Sequence, residues 1–156
     1  MSENSLKEQR IAGYEAVLTE NMQDPFEKKI KEKIFKWWAN WVPDYEGWCK
    51  IAEWLYAPDA EINAIGDQPQ LFSIYEKSMK GQRDFFAMDM GPIEDPVTEG
   101  DTIAFHYLMY LTPKVDYDKF KKGETKIIKV TEFNTFSHQK EEDPQVCRLT
   151  LISSSL

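Results

Sequence analysis

The stretch that decides the fold is TEGDTIAFHYLMYLT, residues 98–112. Within it a short turn, Glu99-Gly100-Asp101, joins two runs in which apolar residues alternate, a pattern typical of a β-hairpin. We predict a strand over Thr102–Thr112. The segment Phe85–Val97, interrupted at Gly91-Pro92, is expected to be extended and to lie beside that strand.

Two polar residues in these strands, Asp89 and His106, are the candidate catalytic pair. A carboxylate in an apolar cavity has a raised pKa and is a better base near neutral pH, where histidine also titrates. We expect both to face one pocket roofed by tryptophan-rich helices. The alternation leaves a second possibility open, in which Tyr107 faces the pocket and His106 faces a subunit interface. A structural His106, and an Asp89 that bonds local backbone near Gly91, are further alternatives.

Four amphipathic segments are predicted as helices because apolar residues recur in them at helical spacing. Asp24-Pro25 is a typical helix start, with an acceptor side chain at the cap and proline in the first turn. The second helix ends in a cluster of tryptophans, which suggests a function beyond helix–sheet packing. The predicted helices are Ser5–Asn21, Asp24–Trp41, Pro43–Ala57 and Pro69–Arg83, with a short strand Glu61–Ala64 before the last.

The rest of the chain predicts two more long strands. Residues 113–124 are polar and lysine-rich, and are expected to form a pocket lid, a subunit contact or a plain surface loop. Thr125–Gln139 and Gln145–Ser154 alternate with the period of a strand. Helices followed by antiparallel strands define an α+β fold, with the helices on the concave face of a curved sheet. A second copy of the chain is expected to cover the convex face, giving a homodimer.

Composition bounds the possible functions. A chain of 156 residues is one domain with its own core, and its net charge of −8 argues against nucleic-acid and membrane partners. No apolar run is long enough to span a membrane, and the N-terminus has no signal core. Two widely spaced cysteines favour a reducing, cytoplasmic location. Cys49, Cys147, His106 and His138 have no metal-ligand spacing, so neither a metal nor another cofactor is expected.

Several phrases of the sequence point to a known family. The phrase WLYAPDAEINAIG (residues 54–66) resembles a passage from a third helix into a first strand, and residues 100–104 resemble a central hairpin. Asn134-Thr135-Phe136 stands where many members carry an Asp-hydrophobic-Phe sequence. Together these phrases resemble the NTF2-like superfamily, and within it the SnoaL-like branch. The resemblance begins near Phe26, which leaves residues 1–23 as an extra N-terminal helix of a single domain, 1–156.

The resemblance implies a cone-shaped fold around a deep apolar pocket, found in polyketide cyclases, ketosteroid isomerases and dehydratases as well as in proteins that only bind or assemble. Trp37 stands where the dehydratases have a tyrosine, and Asp89 where they have a histidine. His106 matches the strand histidine of the cyclases, whereas Asn134 replaces its usual aspartate partner. Ala64 lies close to the position of the isomerases' general base.

These expectations favour one hypothesis, a SnoaL-like enzyme that acts on a hydrophobic cyclic small molecule by cofactor-free acid–base chemistry, as a cyclase, isomerase or dehydratase. A non-catalytic module that binds an apolar ligand and a pure dimerisation scaffold are the alternatives. Glu132 is either an additional base or an edge charge that discourages aggregation. The expected pocket residues are Trp37, Trp41, Trp54, Tyr107, Tyr110, Glu132 and Asn134.

Overall fold

The first three helices begin at the capping residues that the sequence offers. In the computed structural model, which describes residues 5–155, Ser5, Asp24 and Asp44 each accept a backbone N–H from the first turn of the helix that follows. Such caps satisfy donors that have no partner within the helix. All four predicted helices are confirmed: α1 is Leu6–Leu18, α2 is Pro25–Asn40, α3 is Tyr45–Leu55 and α4 is Phe72–Phe85. Residues 1–4 of the predicted N-terminal extension lie outside the described part of the chain.

The described strands form one strongly curled sheet in the order β2-β1-β7-β6-β5-β3. Strand β4 also pairs with β5, so β3 and β4 share one edge of that strand. All neighbours are antiparallel except β1 and β7, which run parallel. The strands are β1 Tyr56–Ala64, β2 Gln70–Leu71, β3 Phe86–Met90, β4 Glu94–Glu99, β5 Thr102–Pro113, β6 Lys126–Phe136 and β7 Val146–Ser155.

The predicted hairpin and the pairing of its flanking strands are confirmed, while several element boundaries differ, two of them at the starts of β1 and α4. Strand β1 begins at Tyr56, five residues before the predicted start, because α3 runs directly into it. Pro58 is tolerated within β1 because the pairing with β7 is irregular between Tyr56 and Glu61. A residue without a backbone N–H therefore interrupts no regular stretch of the ladder. Helix α4 begins at Phe72, since Gln70 and Leu71 pair with β1 instead.

Alternate residues of β5 and β6 define the two faces of the sheet. Ile103, Phe105 and Tyr107 of β5 are buried against the helices, and the indole of Trp38 meets both aromatic rings at centroid distances of 4.9 and 5.0 Å. Val130 lies opposite Tyr107 on β6. Odd-numbered residues of β5 and even-numbered residues of β6 therefore face the helical, concave side, and their neighbours face outward.

Helix α1 is attached through a buried arginine. Arg10 is only 3% exposed, and its guanidinium donates to the carbonyl oxygens of Trp38 and Met90 at 3.1 and 2.6 Å and to Asp89 Oδ1 at 3.0 Å. It also lies 5.2 Å from the ring centre of Trp41. A single side chain thus joins α1 to the end of α2 and to the edge strand β3. No helix within residues 5–155 combines the length and the apolar character of a membrane span.

Candidate functional site

A cavity of about 610 Å³ lies between α4 and the concave face of the sheet. Its volume falls within the range of small-molecule sites, about 300–1,000 Å³. The cone is therefore not filled by its own tryptophans. The wall is mainly apolar; it includes Tyr75 and Met79 of α4, Phe86 and Met88 of β3, Tyr107, Met109 and Leu111 of β5, Ile128 and Val130 of β6, and the polar Ser78, Gln82 and Ser153.

Residues 113–124 form one wall of this cavity. The ring of Phe120 packs against Phe86 with centroids 5.3 Å apart, and the ring of Tyr117 packs against Phe85 at 5.5 Å. Tyr117 and Phe120 also exchange two backbone hydrogen bonds, of 2.9 and 2.7 Å. Of the three possibilities raised by the sequence, this position matches that of a pocket lid.

A buried carboxylate stands directly behind the wall. The phenol of Tyr107, which lines the cavity, donates to Glu132 Oε2 at 2.6 Å, and the amide of Asn134 donates to Glu132 Oε1 at 3.2 Å. Glu132 is 4% exposed and Asn134 is fully buried. Asn134 Oδ1 has no hydrogen-bond partner within the described residues. Because all three side chains project from the concave face of β5 and β6, the sheet itself fixes their mutual geometry.

Burial gives Glu132 the titration of a group that works near neutral pH. Removal of the carboxylate from water raises the pKa of Glu132 to about 7, although the hydrogen bonds from Tyr107 and Asn134 oppose the shift. The pKa of Tyr107 is also raised well above its ordinary value, by burial first and then by the nearby Glu132 charge. Burial likewise raises the pKa values of Tyr56 and Tyr75, and the Glu132 charge adds to both shifts. Glu132 is therefore the group of this cluster that gains or loses a proton near pH 7.

The structure brings together three of the expected pocket residues, namely Tyr107, Glu132 and Asn134. The others lie elsewhere. Trp37 and Trp41 are buried in the helical layer and do not line the cavity, and Trp54 packs beneath the ammonium group of Lys33 at 4.6 Å. Tyr110 projects to the outer face, opposite Ile127 of β6. Trp37 belongs to the apolar stripe of helix α2, which packs within the core rather than on the cavity wall.

Asp89 and His106 are not brought together and neither lines the cavity, which corrects the expected arrangement. The Asp89 carboxylate is 52% exposed and binds Arg10. His106 is an even-numbered residue of β5 and faces outward. Its Nε2 lies 2.8 Å from Asp95 Oδ2 and its Nδ1 lies 3.3 Å from Glu94 Oε2. Asp95 has a positive φ of 50°, which an aspartate tolerates better than most residues.

The alternation along β6 supports the expected position of Glu132 on the concave face. Ile128, Val130 and Phe136 share its parity along β6, so a buried carboxylate is what the alternation predicts. Tyr75 of α4 is a cavity residue that the expected set omitted, although it belongs to the apolar stripe of that helix. Within residues 5–155 no group of three His, Cys, Asp or Glu side chains is arranged to hold a metal ion.

Comparison with known proteins identifies the fold. No family model and no curated protein matches the sequence. The structure is similar to that of a proposed SnoaL-like polyketide cyclase from Jannaschia sp. CCS1, with a TM-score of 0.69 and 12% identity over 86% of this chain and 92% of that one. It is also similar to IdmH, a proposed polyketide cyclase from Streptomyces antibioticus, with a TM-score of 0.63 and 17% identity over 81% of this chain and 92% of that one.

A third similar structure is a ketosteroid isomerase-like protein from Erwinia carotovora atroseptica, with a TM-score of 0.62 and 13% identity over 86% of this chain and all of that one. At such low identities the likeness establishes the fold alone. The predicted α+β fold, with helices on the concave face of a curved antiparallel sheet, is thereby confirmed, and a SnoaL-like protein is among the solved structures that share it.

Proposed function

We propose that this chain is a SnoaL-like enzyme that moves a proton on a hydrophobic cyclic small molecule, with Glu132 as the acid–base group. The observation that carries the proposal is a buried carboxylate, with a pKa of about 7, one hydrogen bond from an apolar cavity of about 610 Å³. A general base is most effective when its pKa lies near the working pH. The structural neighbours, which include a proposed polyketide cyclase and a ketosteroid isomerase-like protein, agree with chemistry of this class.

Tyr107 connects Glu132 to a molecule in the cavity. In the proposed step, the Tyr107 oxygen takes a proton from a carbon next to a carbonyl, while its own proton passes to Glu132 Oε2 along the 2.6 Å hydrogen bond. The raised pKa of Tyr107 keeps the phenol protonated before and after the transfer. The substrate is left as an enolate, and return of the proton at another carbon completes an isomerisation. Cyclisation and dehydration begin with the same proton removal and also need no cofactor.

The wall favours an apolar, ring-containing substrate. Three methionines, Met79, Met88 and Met109, give it flexible surface, and the aromatic side chains of Tyr75 and Phe120 give it flat surface. A bound ring system would exclude water from Tyr107 and so preserve the raised pKa of Glu132.

Deuterium exchange tests the proposal without knowledge of the natural substrate. A panel of cyclic ketones is incubated with the protein in deuterated buffer near pH 7, and loss of the protons next to the carbonyl is followed by NMR. We expect exchange with the wild-type protein, and a rate lower by about a hundredfold or more in Glu132→Gln and Tyr107→Phe. His106→Gln and Asp89→Asn serve as matched controls that keep the wild-type rate. Equal rates in wild type and Glu132→Gln would refute the role of Glu132.

A ligand-binding protein without catalysis is the second candidate, because the Glu132 carboxylate lies behind the cavity wall rather than on it. On that alternative, cyclic ketones that raise the thermal unfolding temperature of the wild-type protein would raise that of Glu132→Gln equally, and no exchange would be observed with either.

A further inference from the structure

The mouth of the cavity is surrounded by exposed apolar side chains. Four residues that line the cavity are at the same time among its most exposed: Ile65 at 67%, Phe85 at 45%, Val115 at 46% and Tyr117 at 61%. Phe85 and Tyr117 are in ring contact, so this group, the cavity rim, is continuous across α4 and the 113–124 wall. Exposed apolar side chains gathered at one place mark an interaction surface more often than single ones do.

The cavity rim is flanked by positive charge. Lys119, Lys121 and Lys122 are exposed on both sides of Phe120, and within residues 5–155 none of their ammonium groups belongs to an ion pair. Residues 113–126 contain five lysines and three acidic residues, a net charge of +2 in a chain whose total is −8. Asp67 lines the cavity, and the exposed Asp116 and Asp118 lie on either side of Tyr117 in the same segment as the lysines. The segment that carries Val115, Tyr117 and Phe120 is therefore positively charged on balance, whereas the rest of the chain is acidic.

We propose that the cavity rim docks on an anionic lipid surface. The apolar side chains would enter the boundary between headgroups and acyl chains, and the lysines would meet the lipid phosphates and carboxylates. The cavity then opens onto the bilayer, so an apolar ligand passes between the membrane and the cavity without crossing water. A second copy of this chain fits less well, because a symmetric contact would bring the two sets of lysines together.

Vesicle co-sedimentation of the full chain tests this inference. We expect the protein to sediment with vesicles of phosphatidylcholine mixed with phosphatidylserine, and to be released by salt. The triple variant Lys119→Gln, Lys121→Gln, Lys122→Gln should bind about tenfold or more weakly. The double variant Val115→Ser, Tyr117→Ser should also lose binding. Leu18→Ser, which removes a side chain that is 47% exposed on α1, is the matched control and should bind as wild type does.

Three results would overturn the inference: no sedimentation with the mixed vesicles, equal binding to vesicles of phosphatidylcholine alone, or the same loss in Leu18→Ser. In the first case an acidic protein becomes the better candidate for the surface. Circular dichroism of each variant separates lost binding from lost folding. The ketone exchange assay contains no vesicles, so the failure of lipid docking and the failure of the proposed catalysis are distinguishable.

Discussion

Glu132 links the stability of the protein to pH. In the unfolded chain its carboxyl ionises near pH 4.5, whereas in the folded chain the pKa is about 7. Between these values the folded protein holds a proton that the unfolded chain has released, so the free energy of unfolding falls as pH rises through this window. This difference between the two pKa values corresponds to a fall of roughly 3 kcal/mol in the free energy of unfolding across the window.

Glu132→Gln should remove this dependence. The glutamine carbonyl can still accept a hydrogen bond from Tyr107. We expect the difference in free energy of unfolding, variant minus wild type, to rise by roughly 3 kcal/mol as the pH goes from 4.5 to 7.5. Urea unfolding at several pH values measures it. Glu15→Gln, which changes an exposed carboxyl of α1, should follow the wild-type pH profile. Parallel profiles for Glu132→Gln and wild type would show that Glu132 titrates normally.

At the residue scale, the sequence did not decide which face of β5 each side chain lies on. On β5 both sets of alternate residues are largely apolar, with Phe105 and Tyr107 on one face and Leu108 and Tyr110 on the other. Alternation therefore did not identify the concave face, and a change of parity moves every side chain to the other side. The alternation therefore leaves two assignments open, and the structure has the one in which Tyr107, not His106, faces the cavity. On β6 the contrast between faces is clearer, and Glu132 could be placed from its apolar neighbours.

At the scale of elements, α1 depends on one buried arginine. Arg10→Met keeps much of the side-chain length but removes hydrogen bonds to two carbonyls and to Asp89. We expect a loss of about 2–4 kcal/mol in the free energy that holds α1 on the fold. Amide hydrogen exchange should speed up in α1 while β5 and β6 stay protected. Arg148→Met, which alters an exposed arginine, is the control. Unchanged protection in α1 would show that packing alone holds the helix.

The elements themselves were largely predictable, because caps and periodicity are local signals. Asp24 and Asp44 cap their helices by accepting hydrogen bonds from backbone N–H groups of the first turn, and such caps can be recognised in the sequence. The buried role of Arg10 was not, since helical periodicity treats arginine as a surface residue. The two-residue strand β2 was also missed, because its pairing with β1 is set by tertiary contact rather than by propensity.

At the scale of the whole molecule, the charge is distributed unevenly along the chain. A total of −8 argues against a membrane surface, but residues 113–126, which contribute Val115, Tyr117 and Phe120 to the cavity wall, carry a net charge of +2. The convex face of the sheet carries exposed apolar side chains. Ile127, Phe133 and Ile152 project from it at 39%, 41% and 42% exposure, although they belong to the central strands of the sheet.

We propose, as the sequence led us to expect, that a second copy of the chain covers this convex face. A two-fold axis across β6 would place the same apolar patch on both subunits, which is the requirement for a symmetric dimer. Phe133→Lys would then introduce a charge at the centre of the contact, and we expect sedimentation velocity to show the wild type as a dimer and the variant as a monomer. Leu18→Lys adds the same charge on α1, far along the chain, and should remain dimeric. A wild-type protein that sediments as a monomer at every concentration would exclude this interface. The apolar side chains of the convex face would then be available to a different partner, because nothing within residues 5–155 covers them.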